Sequence, residues 1–417
     1  MRRPTLPATP RWLLRLAVVT LLVGLGAGVA GAVVAAGLHL VQHLAYNYSE
    51  GTFLDGLLKT PPVTRVIALS VAGVVGAIGW WAMRKWGRPF VSVERSVGGK
   101  RMPAAVTLVN AALQVVIVGL GASIGREVAP RELGALVSGW LSDRAGVSAR
   151  ERRILVACGA GAGLAAVYNV PLGGAVFTVE ILLAEISFAT VLPAVATAAI
   201  ATLVGHLTVP ASPLYALPQF TFTPSIVVWS VLVGPVMGFA AIGFVRLAQF
   251  AQTHRPKSWG ILVVMPLVFA SVGLLSVGFP AILGNGRSLA QIAFDATIPA
   301  GLLAALLVFK VAATVGTIGA GAAGGTLTPS LAIGAVCGAL AGTAWDILWP
   351  GVPPAAFALI GAAAFLASSM RAPLTALILV LEFTGEGPSM IVPMMLAIAG
   401  SVTVGYVLGR RRFTGVD

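Results

Sequence analysis

Charge is what this chain has least of. Of its 417 residues only 10% are Asp, Glu, Lys or Arg, while 58% are hydrophobic. A soluble domain carries about 25% charged residues, so this chain could not cover a water-facing surface. Acidic residues are scarcest, at 14, and most fall in the loops between apolar stretches. Cysteine is nearly absent too. Cys158 and Cys337 each sit alone in a Gly/Ala-rich apolar run, which argues against a disulfide framework or a thiolate metal site and for small packing residues. There are four histidines. His39 and His43 stand four apart, but Gln42 leaves no acidic partner, so no zinc-protease motif exists. No nucleophile–base arrangement is visible either. No metal, no cofactor and no enzymatic activity are expected.

What the chain does have is length of apolar run. A membrane span needs about 20 mostly apolar residues. Leu13–Leu40, Val63–Met83, Val106–Ile124, Ile226–Phe244, Ile261–Val277 and Met390–Leu408 qualify, and roughly ten or more spans are expected by that criterion. Glycine is abundant, at 50 residues, as suits helices whose backbones must approach closely in lipid. The net charge is +13, but the basic residues are scattered between apolar segments, which excludes nucleic acid as a partner. They gather at Arg2, Arg3, Arg11 and Arg15, at Arg144–Arg153 and at Arg410–Arg412. Basic loops stay cytoplasmic. The reading is a multi-pass cell-membrane protein with the bilayer as its solvent. Residues 1–12 form a cytoplasmic segment, 13–408 the membrane domain and 409–417 a short basic cytoplasmic tail. The first apolar run is longer than a signal sequence and lacks a cleavage site, so it reads as a retained helix.

The chain also resembles itself. Gly159-Ala-Gly-Ala-Gly-Leu-Ala-Ala-Val-Tyr-Asn-Val-Pro171-Leu leads into a run closing at Glu180. Gly361-Ala-Ala-Ala-Phe-Leu-Ala-Ser-Ser-Met-Arg-Ala-Pro373-Leu leads into one closing at Glu382. Gly125 and Gly134 likewise match Gly325 and Gly334. Repeat halves over about 63–208 and 226–408 follow, an architecture common in transporters, whose broken helices meet near the midplane. Three breaks are visible: Gly98-Gly-Lys-Arg-Met-Pro103, Gly125-Arg-Glu-Val-Ala-Pro130 and Gly324-Gly-Thr-Leu-Thr-Pro329. Pro favours a first helical turn, and converging helix N-termini offer N–H groups and positive dipole ends to an anion. Gly319-Ala-Gly-Ala-Ala-Gly324 mimics a dinucleotide fingerprint, but no strand precedes it.

Gly-Arg-Glu at 125–127, Gly-Gly-Thr-Leu-Thr-Pro at 324–329, Phe-Lys-Val at 309–311 and Arg-Ala-Pro-Leu-Thr at 371–375 together resemble the CLC chloride channels and chloride/proton antiporters, from about Leu13 to Leu408. The resemblance implies an all-α polytopic fold of two antiparallel, inverted-topology halves. It also implies a homodimer with one pore per subunit, and chloride bound at converging helix N-termini near the midplane. It assigns Glu127 as a gating glutamate, in keeping with the rule that a charge inside a membrane segment is usually functional. The anion-binding set it implies is Lys100, Arg101 and Met102, then Gly125 and Arg126, then Gly325, Thr326 and Leu327. Thr326 and Leu327 would act through their backbone N–H groups, and Arg126 more through bracing loops than through touching the ion.

The chain departs from the family pattern in four places. Lys100 stands where the chloride-coordinating Ser belongs. It could draw anions and favour the charged form of Glu127, or snorkel to water. Val128 and Ala129 intervene before Pro130. Ile181 falls at the internal proton-relay position, with Glu180 one residue earlier and Glu185 a turn later. The position of the chloride-binding Tyr falls at Phe413 or Thr414, and Tyr406 does not inherit the role. The family's C-terminal regulatory domains are not expected. The function expected is transport of chloride or a similar small anion. Alternatives are selectivity for fluoride or nitrate, exchange coupled to protons, and, more remotely, a non-transporting scaffold or intramembrane enzyme.

Overall fold

A computed structural model describes residues 10–48, 51–218, 220, 222–296 and 298–410. Among them the chain is helical throughout, and its one extended pairing is an isolated bridge between Gly125 and Gly325. In chain order the helices are α1 (Pro10–Tyr46), α2 (Phe53–Lys59), α3 (Pro62–Trp86), α4 (Val93–Val97), α5 (Ala104–Gly119) and α6 (Val128–Ala145). Next come α7 (Ala149–Tyr168), α8 (Pro171–Phe177), α9 (Phe188–Gly205), α10 (Pro224–His254), α11 (Ile261–Gly278) and α12 (Arg287–Asp295). The last are α13 (Ala300–Gly319), α14 (Leu327–Asp346), α15 (Pro354–Met370), α16 (Pro373–Thr384) and α17 (Ile391–Arg410).

Eight helical segments among the described residues are long and apolar enough to cross a membrane. The apolar segments Ala104–Gly119, Pro171–Leu182, Pro354–Met370 and Pro373–Thr384 are shorter. This corrects the span expected over Val106–Ile124, which is a 16-residue helix ending at Gly119. The reason is local. Gly121 takes φ +101°, its N–H returns to Val118 O at 3.0 Å and the Ala122 N–H to Ile117 O at 2.9 Å. That is a Schellman stop, and an L side chain would resist the left-handed residue it needs. Apolar composition continues past the stop; the helix does not.

The same stop recurs 200 residues on. Gly321 has φ +100°, with Gly321 N–H on Ile318 O at 3.0 Å and Ala322 N–H on Thr317 O at 3.4 Å. Asn169 and Arg371 also repeat one another, as left-handed caps of α7 and α15 with φ 57° and 55°. Each is followed by a 3.1 Å bond, from Val170 N–H to Ala165 O and from Ala372 N–H to Ala367 O. The internal similarity in sequence is therefore a similarity of backbone geometry.

The described residues fall into two compact units. One holds Met1–Ala35, Pro89–Leu108 and Pro130–Ala211. Its central element is α7, buried on every side from Ile154 to Tyr168, as befits a helix apolar all round. Helices α4, α8 and α9 pack on it, and Ala27, Ala162, Ala166 and Ala201 form a tight cluster. Gly159 lies so close to Gly134 O that a Cβ would collide with that carbonyl and with the Ser138 hydroxyl. Small residues at such crossings replace water expulsion as the source of cohesion in lipid. A capping box between Ser148 and Glu151 starts α7.

The other unit holds Ala36–Arg88, Val109–Ala129 and Ser212–Asp417. Here α15 plays the part of α7, buried from Ala355 to Ser368 beneath α10, α14 and α17. Phe365 and Phe244 meet over Ile333 and Ala241. Helices α3 and α11 pack along each other.

Candidate anion site around Glu127

The second unit contains the whole of one built site. Beyond the Gly121 stop a short bent segment leads to Gly125, and beyond Gly321 a short non-helical segment leads to Gly325. There Gly125 N–H donates to Gly325 O at 2.8 Å and Gly325 N–H to Gly125 O at 3.0 Å. The pairing is antiparallel and reciprocal, so two segments at equal places in the repeat face each other across it. Both amides are used by the exchange. What the two glycines supply is space: a Cβ on either would overlap the Glu127 carboxylate.

Glu127 fills that space. It is 1% exposed. Its Oε1 accepts the Leu327 N–H at 2.7 Å, and Oε2 lies 3.4 Å from the Thr328 hydroxyl. Leu327 and Thr328 open α14. The first N–H groups of a helix have no intrahelical acceptor, and the dipole there favours negative charge. The carboxylate thus caps α14 from another segment, as a free anion would. Thr326 is the N-cap, but its side chain makes no cap bond, which leaves the work to Glu127.

Beside this lies Lys310 of α13, fully buried. Its ammonium donates to Gly284 O at 2.8 Å, Ile282 O at 2.9 Å and Ser123 Oγ at 2.9 Å. Ser123 in turn meets Thr314 Oγ1 at 3.1 Å. All three ammonium protons are matched, the condition for keeping a cation in an apolar interior. Lys310 ties the segment leading to Gly125 onto α13. Sequence reasoning assigns Lys310 and Thr328 no role. A lone cation inside the run Ala300–Gly319 is the signal that points to the first; nothing in the sequence points to the second.

The remaining expected residues divide. Arg126, partly buried, lines a cavity with Gly284 and Asn285. Lys100, Arg101 and Met102 belong to the first unit. Gly99 there takes φ +101°, and the Lys100 N–H closes α4 on Arg95 O at 3.0 Å, so that amide is occupied. Lys100 and Arg101 are exposed and Met102 partly so. Arg101 Nε pairs with Asp143 at 3.0 Å, and Asp143 also takes Arg152 Nε at 2.9 Å.

Glu180 and Ile181 sit in a π turn, Thr178–Leu182, that ends α8. The repeat mate of Glu180, Glu382, lies in the regular α16. Glu185 is held by Arg150 at 3.1 Å and by the Ser187 hydroxyl at 3.3 Å. Tyr406 is exposed on α17. Phe413 and Thr414 lie outside the described residues. Both cysteines are free thiols. His43 Nδ1 lies 3.1 Å from Tyr48 O, and His39 stacks edge-on against the Tyr48 ring.

The family model described as "Voltage gated chloride channel" matches residues 75–406. The chain belongs to that family. A ClcB-like chloride channel protein of Ralstonia nicotianae is 35% identical over 339 residues, 78% of this chain and 77% of the relative. The voltage-gated ClC-type chloride channel ClcB of Citrobacter koseri is 28% identical over 377 residues, 86% of this chain and 89% of the relative. Among solved folds, a slow cyanobacterial Cl−/H+ antiporter superposes with a TM-score of 0.82 at 23% identity, over 95% of each chain. A CLC-type fluoride/proton antiporter gives 0.74 at 19% identity, over 95% of this chain and 96% of its own. At these identities the superpositions establish the all-helical membrane fold. The chain is a multi-pass membrane protein.

Proposed function

We propose that this protein carries chloride, or a similar small anion, across the cell membrane, with Glu127 as the gate. One observation carries the reading: the buried Glu127 carboxylate accepts the Leu327 N–H at 2.7 Å. A negative group already occupies a helix N-terminus suited to an anion. Protonation removes its charge and weakens that bond, and the amides of Thr326 and Leu327 then become available to a permeating ion. Gly125 and Gly325 keep the space that carboxylate and ion use in turn. Arg126 steadies the loop at the gate. The relatives named as chloride channels make chloride the first ion to test. Chloride efflux from proteoliposomes should rise as pH falls in the wild type and lose that dependence in Glu127→Gln. PH-dependent efflux that survives the substitution removes Glu127 from the gate. Flux no higher than from empty vesicles favours a scaffold.

Proton coupling is a second reading, favoured by the π turn at Glu180, since such turns recur at functional sites. Ile181 cannot carry a proton and Glu185 is already ion-paired, which leaves Glu180 as the carrier. Simultaneous chloride and proton flux decides between a conductor and an exchanger, and Glu180→Gln should abolish only the proton component. Lys100 in place of a hydroxyl supports a shifted anion preference, read from an efflux series of fluoride, nitrate and chloride. A homodimer with both termini cytoplasmic completes the proposal; cross-linking in membranes and protease access to sealed vesicles test it.

A further inference from the structure

Within the second unit, a cavity of about 50 Å³ opens beside Arg126, walled by Gln42, Tyr48, Asn285, Arg287 and Ser288. One water needs roughly 10–15 Å³ by this measure, so the cavity has room for a single small ion. No acidic side chain lines it among the described residues. Two arginines do, Arg126 and Arg287. Arginine forks match the oxygen pairs of oxyanions better than they match a point charge. The Arg287 backbone opens α12, and its N–H reaches the Asn285 side-chain oxygen at 3.3 Å. A third cation stands behind the wall, since the Lys310 ammonium donates to Gly284 O at 2.8 Å. Tyr48 reports on the combined field. Burial raises its phenol above the ordinary range, while Arg287 and Arg126 both pull it down. The one carboxylate felt there, Asp55, exerts the weakest of these influences and is tied to Thr52 by a 2.8 Å backbone bond.

We infer that this cavity is a second anion site, separate from the one Glu127 fills, and that it takes a small inorganic oxyanion of the sulfate or phosphate type between Arg126 and Arg287. Such an occupant would lie one residue from the gate without entering it. This binding does not depend on the transport reading: a protein that moves no chloride could still hold an oxyanion here.

The test is titration of sodium sulfate into the purified full chain in chloride-free buffer, followed by calorimetry. The expected result is saturable binding that weakens roughly tenfold or more in Arg287→Ala, the loss of one charged hydrogen-bond partner. Because Arg287 also donates to Leu214 O at 3.0 Å, a second variant guards against misfolding. Gln42→Glu places a negative charge on the wall and should weaken sulfate by a similar factor. Glu127→Gln should bind sulfate at least as tightly as the wild type, since it removes a neighbouring negative charge. Wild-type sulfate affinity in a folded Gln42→Glu or Arg287→Ala protein overturns the inference, and so does sulfate binding that is lost in Glu127→Gln. An absence of saturable binding to the wild type overturns it as well. Chloride efflux, measured in parallel, separates any of these outcomes from failure of the transport proposal.

Discussion

Residues 116–127 and 316–327 share a backbone yet carry different chemistry. Both end a helix in a Schellman stop, at Gly121 and Gly321, and both run on to a glycine of the reciprocal bridge. Two residues later one arm presents Glu127 and the other presents Leu327, whose N–H the glutamate accepts. Deeper in the same arms, Asn110 and Lys310 are also mates. Asn110 is satisfied by the Trp80 indole N–H at 2.8 Å, Lys310 by two carbonyls and a hydroxyl. A repeated backbone brings two helix ends face to face. Only a break in chemical symmetry turns that meeting into a site, because an anion needs a donor and a gate needs a charge.

That comparison can be broken experimentally. The largest effect is expected from Glu127→Gln, which removes the carboxylate that sets one arm apart from the other. The pH dependence of chloride efflux should vanish, as read in proteoliposomes. Lys310→Met should follow. It strips three acceptors of their partner in the buried interior, and a loss of about 3–5 kcal/mol is expected in denaturant or thermal unfolding in detergent. A stability equal to wild type would show that the ammonium does not hold the arm. Gly325→Ala should do less to stability, about 1–3 kcal/mol for an overpacked site. Its sharper sign is functional: with the carboxylate displaced, efflux near pH 7 should rise toward the Glu127→Gln level although the glutamate is still present. Efflux that stays low would mean the carboxylate has another resting place. The smallest effects belong to the α14 side chains. Thr328→Val removes one long hydroxyl contact and should cost about 1 kcal/mol. Leu327→Phe should leave efflux within about twofold of wild type, a few tenths of a kcal/mol, because the amide donates and the side chain does not. A large loss in Leu327→Phe would overturn the view that this arm works through its backbone.

How much of this was legible beforehand varies by residue. Glu127 stands out in sequence because a carboxylate inside an apolar stretch has few inert explanations. The offset of 200 that pairs Gly125 with Gly325 is legible too, but the reciprocal bond between them is not, because spacing along a chain carries no information about which faces meet. Apolar continuity overstates the length of α5, which ends at Gly119. Hydropathy persists through Leu120–Ile124, and only the positive φ of Gly121 ends the helix. The different fates of Glu180, in a π turn, and Glu382, in a regular helix, are invisible in two runs that look alike. Lys310 was in plain view within the family motif, but its role depends on three acceptors that come from distant segments.

Composition alone determined that this protein belongs in a bilayer as a helical bundle. With so little charge no aqueous surface is available, and in lipid the helix satisfies its own backbone. The repeat and the buried glutamate were also written in the sequence. Tertiary structure decided where the helices stop, that Gly125 and Gly325 spend their amides on each other, and that the Leu327 N–H falls to Glu127. It also placed Arg126 and Arg287 on one cavity. The reason is physical: hydropathy is a sum over neighbours in the chain, whereas a hydrogen bond between residues 200 apart exists only once packing has brought them within 3 Å.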